Sequence, residues 1–456
     1  MDTIEYWGEW WIPVEDDEGW QPTDAEDRIS GVLEFDPSNG GELDLMGTLT
    51  GIAGSSADIE TIHGKTKDGE FVTLRGLFDK GTGMSASATV MRSQKFGVSK
   101  VFSGALFYDE PEFSEVELTL PLLEMWMRDE VFSIQLPPTH EKLGASIEGV
   151  EPITAELENA DVKLSLGYNF NKKNWESVEF SQTAKITISP DEKLPFEKIL
   201  NEYARHIQNL LCLAIGDPID PVSVVGVNPS EQEGVEEHRT DITYRVSHPA
   251  EAPESKHPNR VLFSLPDIDF EDTLQRWFEN ARGAQTLHNL YFGTKYNESM
   301  FEENRFLSLA IAIEGFHSHL FPDHRLMEES NYDDLHEEIL EVVPDDTEVE
   351  NRIDGLLGSI GNHPSLRNKI EMVFSEYDHI LSELIDVDRV AKRTTDNRHN
   401  LAHALDDGVD TAAVGDLART LQVVIEAILM DAIGLDSDYI IETLQENRKY
   451  YLADQA

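Results

Sequence analysis

The stretch Ile29–Thr50, ISGVLEFDPSNGGELDLMGTLT, decides how the first part of this chain is read. Leu33 and Phe35 alternate with Val32 and Glu34. After Asp36-Pro37-Ser38-Asn39-Gly40-Gly41 the alternation resumes, with Leu43 and Leu45 set against Glu42 and Asp44. A period of two on both sides of a turn rich in Asn and Gly is the pattern of a β-hairpin with one apolar face. Outward from it, short runs of the same kind follow at Phe71–Phe78, Ala86–Met91, Val116–Leu120, Val162–Tyr168 and Ala184–Ile188. Many short strands at this spacing predict an antiparallel β-sandwich-like domain over residues 1–190. Trp7, Trp10 and Trp11 at its start are read as core or edge packing rather than as a stacking platform for a ligand.

At Pro195 the period changes. Phe196, Ile199, Leu200, Tyr203, Ile207, Leu210 and Leu211 fall at helical spacing, and Gly216 with Pro218 ends the helix. Strand-like pieces at Val222–Val227 and Thr240–Val246 flank an acidic loop at Ser230–Glu237. The Pro-rich Pro249–Pro258 reads as a loop, and a helix is expected near Glu271–Ala281. Residues 191–298 are therefore assigned to a mixed α/β region that completes the N-terminal module.

Residues 299–456 read as an all-α bundle. Its stripes are Phe306, Leu309, Ala310, Ile313, Phe316 and Leu320; a shorter one at Ile353, Leu356, Leu357 and Ile360; and a long one from Ile370 to Leu384. Val414, Leu417, Leu421, Val424 and Ile428 make a further stripe, followed by Tyr439, Ile440 and Leu444.

The 456 residues are too many for one ordinary core, in keeping with this division. Charge is the unusual property: 36 Lys+Arg against 88 Asp+Glu leave a net of −52, spread over the whole length. Such self-repulsion is tolerated where counterions screen it, so the chain is read as a halophile's cytoplasmic protein. The N-terminus MDTIEYWGEW has neither a basic nor an apolar run, so no secretory signal is expected, and no stretch approaches a membrane span. The single cysteine, Cys212, excludes an intrachain disulfide and reads as a buried, inert thiol.

Against this acidity stands Arg389–Leu405, RVAKRTTDNRHNLAHAL. From Arg389 to His403 it carries Arg389, Lys392, Arg393, Arg398, His399 and His403 against one acid, Asp396. A basic island in so acidic a chain suggests a site that meets an anion. Within it Arg398 and His403 are five residues apart. Chance alone gives roughly 0.6 Arg-x4-His matches in a chain of this composition, so context has to decide. Arg282 and His288 supply a looser Arg-x5-His match and are set aside as noise. The chemistry of the Arg398 pair is coherent for RNA cleavage: His403 can move protons near neutral pH, and Arg398 offers a permanent planar charge to phosphate oxygens. The structural alternative is that Arg398 pairs with a bundle carboxylate while His403 caps or packs. Side chains five apart on a helix diverge by about 140°, so a compact site needs two facing copies of the helix. His399 and His403, four apart, share a face.

The chain also resembles a known family. GEWWIP (Gly8–Pro13) followed by ISGVLEFDPSNGGELDLMGTL, LLCLAIGDPIDPVSV (Leu210–Val224), FLSLAIAIEGFHSHL (Phe306–Leu320) and RHNLAH (Arg398–His403) are similar to successive segments of the ApeA-type HEPN proteins of prokaryotic anti-phage defence. The resemblance implies a metal-independent endoribonuclease with Arg398 and His403 as catalytic residues, dimerising through its HEPN bundle and acting in abortive infection. It further implies RNA as partner, with tRNA among the candidates, a phage-derived trigger at the N-terminal module, and no cofactor. His399, Asn400, Glu314 and Arg393 are the supporting or substrate-binding candidates. In the wider group the residue after the arginine is polar, and His399 conforms; closer relatives often carry Asn there, which here comes one place later as Asn400. The competing class is a non-catalytic binding protein with a degenerate bundle. His317, His319 and His324 with Asp323 straddle a helix end and are read as surface residues near that terminus, not as a metal site.

Overall fold

The computed structural model describes residues 1–16, 19–21, 27–50, 59–86, 90–129, 131–135, 144–147, 149–173, 177–230, 234, 237–246, 261–343, 347–403 and 410–446. The chain divides into two compact units, Met1–Gln275 and Arg276–Ala456.

The first unit is built on antiparallel β-structure. Its hairpin runs Ile29–Asp36 and Gly40–Leu45, with Asp36 opposite Gly40 and Phe35 opposite Gly41. Leu33, Phe35, Leu43 and Leu45 are fully buried, as their alternation requires, and each contributes about 1.5–3 kcal/mol by leaving water. The turn closes locally: Asp36 Oδ1 accepts from the Ser38 amide at 2.8 Å, and Asn39 N donates to Asp36 O at 3.0 Å. Gly40 sits at φ +83°, a conformation a side chain would strain.

Among the described residues, fourteen strands join in one continuous ladder around this hairpin. One side continues through Ile4–Trp11, Thr61–Thr66, Phe71–Arg75 and Lys100–Ser103; the other through Val90–Val98 to Phe78–Ala86. Beyond Lys100–Ser103 follow Glu237–Tyr244, Ser223–Pro229, Glu115–Thr119 and the long hairpin Ala160–Lys173 with Ser177–Pro190, edged by Ile153–Glu156. Trp10 and Trp11 are buried while Trp7 is half exposed. The acidic loop and the Pro-rich segment expected after residue 230 lie largely or wholly outside the described residues.

The described residues of the unit also include the short helices α1 (Leu123–Met127), α2 (Phe196–Ile199) and α3 (Arg205–Ile215). A π-turn at Leu200–Ala204 joins α2 to α3, so the predicted helix is continuous but locally widened. Gly216 at φ +82° ends it, donating its amide to Cys212 O at 2.9 Å. Cys212 is completely buried. Helix α4 (Phe270–Gly283) contains the division between the units.

The second unit is all helix: α5 (Gln285–Tyr296), α6 (Glu302–Leu320), α7 (Glu329–Glu341), α8 (Thr347–Leu356), α9 (Leu366–Glu376), α10 (Asp378–Leu384), α11 (Val387–His403), α12 (Thr411–Ala432) and α13 (Ser437–Glu446). Helix α12 is buried almost all round from Val414 to Met430 and forms the centre; α6 packs on it and also meets α5 and α9. Asp410 caps α12, its Oδ1 accepting from the amides of Ala412 and Ala413. Within this core Glu426 is 1% exposed, accepting from Tyr291 Oη at 2.9 Å and Gln422 Nε2 at 2.8 Å, with Lys295 Nζ 3.7 Å away.

Two expectations differ in detail from the structure. The stripe from Ile370 to Leu384 is buried as expected but belongs to two helices, because the backbone turns at Tyr377, φ −103° and ψ 20°. The stripe at Ile353, Leu356 and Leu357 is helical yet not buried, and Leu356 is 48% exposed. Its partner α7 has no buried residue at all. Amphipathic spacing reports a face, and here this unit leaves that face uncovered.

Candidate active site in the helical unit

The basic stretch folds as α11. Val390, Ala391 and Thr394 turn inward and fix the helix against its neighbours, while Lys392 and His399 stay exposed and Arg393, Arg398 and Asn400 are half-buried. Helix α11 packs on α9, α12 and α6, which brings residues from four helices to one place.

Arg398 Nη2 donates to Glu314 Oε2 at 3.1 Å. The other oxygen of the same carboxylate, Oε1, accepts from Lys369 Nζ at 3.0 Å. Glu314 therefore lies between two cations, one on α11 and one on α9, with side-chain exposures of 24% for Glu314, 35% for Arg398 and 19% for Lys369. Partly exposed pairs of this kind are worth up to about 1 kcal/mol, so they can exchange partners readily. Two positive groups about a carboxylate's width apart also suit two oxygens of a phosphate.

Arg393 lies one helical turn before Asn397, whose Nδ2 donates to the Arg393 carbonyl at 2.8 Å. The Arg393 guanidinium donates to Ala413 O at 3.4 Å, near the start of α12. It serves there as a link between helices as well as a charge. His403 is the last residue of α11, and its side chain lies outside the described residues. The helix is continuous from Arg398 to His403, so the angular divergence expected from their spacing applies.

Nothing in the sequence singles out Lys369. It lies 29 residues before Arg398 on another helix, and no local pattern marks it. His317 was read as a surface residue; it is 3% exposed, its ring against Phe321 and His324 at centroid distances of 5.2 and 5.8 Å. Neither ring nitrogen has a hydrogen-bond partner among the described residues. Burial pushes its pKa down, and the charges of Lys369 and His324 add to this against the opposing pull of Glu314. Among the described residues, no group of three or more His, Cys, Asp or Glu side chains is arranged to hold a metal ion.

The Arg282 and His288 match is structural. His288 is buried against Trp277 at a centroid distance of 4.7 Å, and its Nε2 bonds Asn280 Oδ1 at 2.8 Å. No helix among the described residues is long and apolar enough to cross a membrane.

Two family models match the chain. The one described as ApeA N-terminal domain 1 covers residues 5–277, and the one described as Apea-like HEPN covers residues 307–439. Neither the curated proteins nor the solved structures give a significant match. The second family match contains α7 to α12 together with Glu314, Lys369 and Arg398. With its antiparallel β-region followed by a helical HEPN domain, this chain belongs to the ApeA family of HEPN proteins.

Proposed function

We propose that this protein is a metal-independent HEPN endoribonuclease, an effector of anti-phage abortive infection that works as a homodimer. The observation that carries the reading is the placement of Arg398 on a helix of a HEPN domain, in the chain's basic stretch, beside a second cation, Lys369. RNA, with tRNA among the candidate substrates, is cleaved by its own 2′-hydroxyl. A base removes the hydroxyl proton, the freed oxygen attacks the adjacent phosphorus, and the 5′-oxygen departs with a proton. The products are a 2′,3′-cyclic phosphate and a 5′-hydroxyl end. His403 supplies proton transfer, and Arg398 stabilises the charge that builds on the phosphoryl oxygens. Because Arg398 and His403 diverge on one helix, two copies of α11 complete the site, one imidazole acting as base and the other as acid. Glu314 holds Arg398 and Lys369 in position before RNA arrives; His399, Asn400 and Arg393 contact or orient the substrate. The N-terminal unit acts as the sensor or regulator that answers a phage-derived trigger, in the cytoplasm.

One observation favours a second reading. The Arg398 guanidinium is already engaged by a carboxylate of its own unit, as a purely structural arginine would be. On that reading the HEPN domain is a dimerisation or docking module without activity. Incubation of purified protein with total RNA, with and without chelator, separates the two. Chelator-resistant cleavage that disappears in Arg398→Ala supports the ribonuclease; cleavage undiminished in that variant refutes it.

A further inference from the structure

The N-terminal unit holds a cavity of about 800 Å³, within the roughly 300–1,000 Å³ typical of small-molecule sites. Apolar side chains, among them Ile59, Leu77 and Phe102, make much of its lining. Two cations enter it, Arg75 and Lys100. They end neighbouring antiparallel strands and stand directly opposite each other in the ladder. Like charges at opposed positions destabilise a strand pair, so this arrangement needs a compensating anion.

The protein supplies that anion only in part. Lys100 is ion-paired with Glu197. Arg75 makes no ion pair among the described residues: Nη2 donates to the carbonyl oxygens of Tyr108, at 3.3 Å, and Asp109, and Nε is buried with no partner. Burial pushes the Arg75 pKa down, opposed by Glu60, Glu110 and Asp109. Those three carboxylates also line the cavity but are solvent-exposed, so water screens their charges. A half-buried pair of opposed cations, of which only Lys100 has an ion-pair partner among the described residues, is unexpected in a chain of net charge −52 unless an anion completes it.

We propose that this cavity binds a small organic anion, its phosphate or carboxylate against Arg75 and Lys100 and its less polar body on Ile59, Leu77 and Phe102. The cavity volume sets the ligand at about mononucleotide size. Occupancy would also bear on the loop through Tyr108 and Asp109, since Arg75 ties that loop to the sheet. The inference concerns binding in the N-terminal unit and stands apart from whether the helical unit cleaves RNA.

Titration calorimetry on the full chain tests it, with adenosine 5′-monophosphate as the phosphate probe and benzoate as the carboxylate probe. The expected result is one site per chain for at least one probe, weakened at least tenfold in Arg75→Gln. Because Arg75 also ties the loop, a second variant, Leu77→Trp, fills the cavity without changing charge and should abolish the same binding. Absence of binding by both probes overturns the proposal, as does binding that persists unchanged in either variant. Which probe binds decides between phosphate and carboxylate.

Discussion

The guanidinium of Arg398 and the carboxylate of Glu314 meet at 3.1 Å although 84 residues separate them in sequence. Lys369 takes the other carboxylate oxygen at 3.0 Å. Under the proposed function Glu314 holds the place of an RNA phosphate, and neutralising it frees two cations. Glu314→Gln in a His403→Ala background is expected to tighten RNA binding several-fold, read by filter binding, while changing stability by less than about 1 kcal/mol. Unchanged or weaker RNA binding would show that Glu314 only positions the arginine.

Lys369 is predicted to be a phosphate contact with no sequence preference. Lys369→Ala should weaken binding of unrelated RNAs to a similar degree and reduce the slope of log affinity against log salt by about 0.7, the contribution of one single-strand phosphate contact. A loss confined to one RNA sequence would contradict that role.

The buried Glu426 makes a separate prediction about the fold of the helical unit. Removing the tyrosine hydroxyl with Tyr291→Phe takes one hydrogen bond from a charged acceptor and should cost about 1.5–3 kcal/mol in denaturant unfolding. Glu426→Ala removes the carboxylate that faces the buried Lys295 and accepts from Tyr291, and should cost about 3–5 kcal/mol.

His317 ties stability to pH. Burial holds its folded pKa below the ordinary value of 6.5, so the unfolded chain binds the proton more readily. The associated stability is therefore present above pH 6.5 and declines as pH falls through and below that value. Denaturant midpoints for the wild type should drop between pH 7.5 and 5.5. His317→Gln should show a shallower drop; an equal drop in both would exclude His317 as a source. His63 in the first unit, also pushed down by burial, contributes in the same direction and remains in the variant.

The hairpin at Ile29–Leu45 was legible because period-two burial is local and a turn with Asn39 and Gly40 marks its end. Helix α6 was legible for the corresponding reason at period 3.6. The division of Ile370–Leu384 into α9 and α10 was not, since the apolar rhythm runs unbroken through Tyr377 while only the backbone turns. Exposure of Leu356 was equally hidden: a stripe does not say what covers it. At the site, Arg398 stood out by its basic surroundings and Glu314 by its place on the first bundle helix. Lys369 and the burial of His317 depend on how α6 and α9 pack, and no local pattern encodes them.

The most direct test of the central claim measures RNA ends. Wild-type protein, challenged with its trigger in the presence of chelator, should cut RNA to leave 2′,3′-cyclic phosphates and 5′-hydroxyls. Arg398→Ala and His403→Ala should each reduce the rate by at least about a hundredfold, the scale of losing one proton-transfer or charge-stabilising group, with unchanged folding by circular dichroism. Mixing the two inactive variants should leave activity absent or partial, according to how the shared sites reassort. Cleavage at the wild-type rate by either single variant would contradict the account.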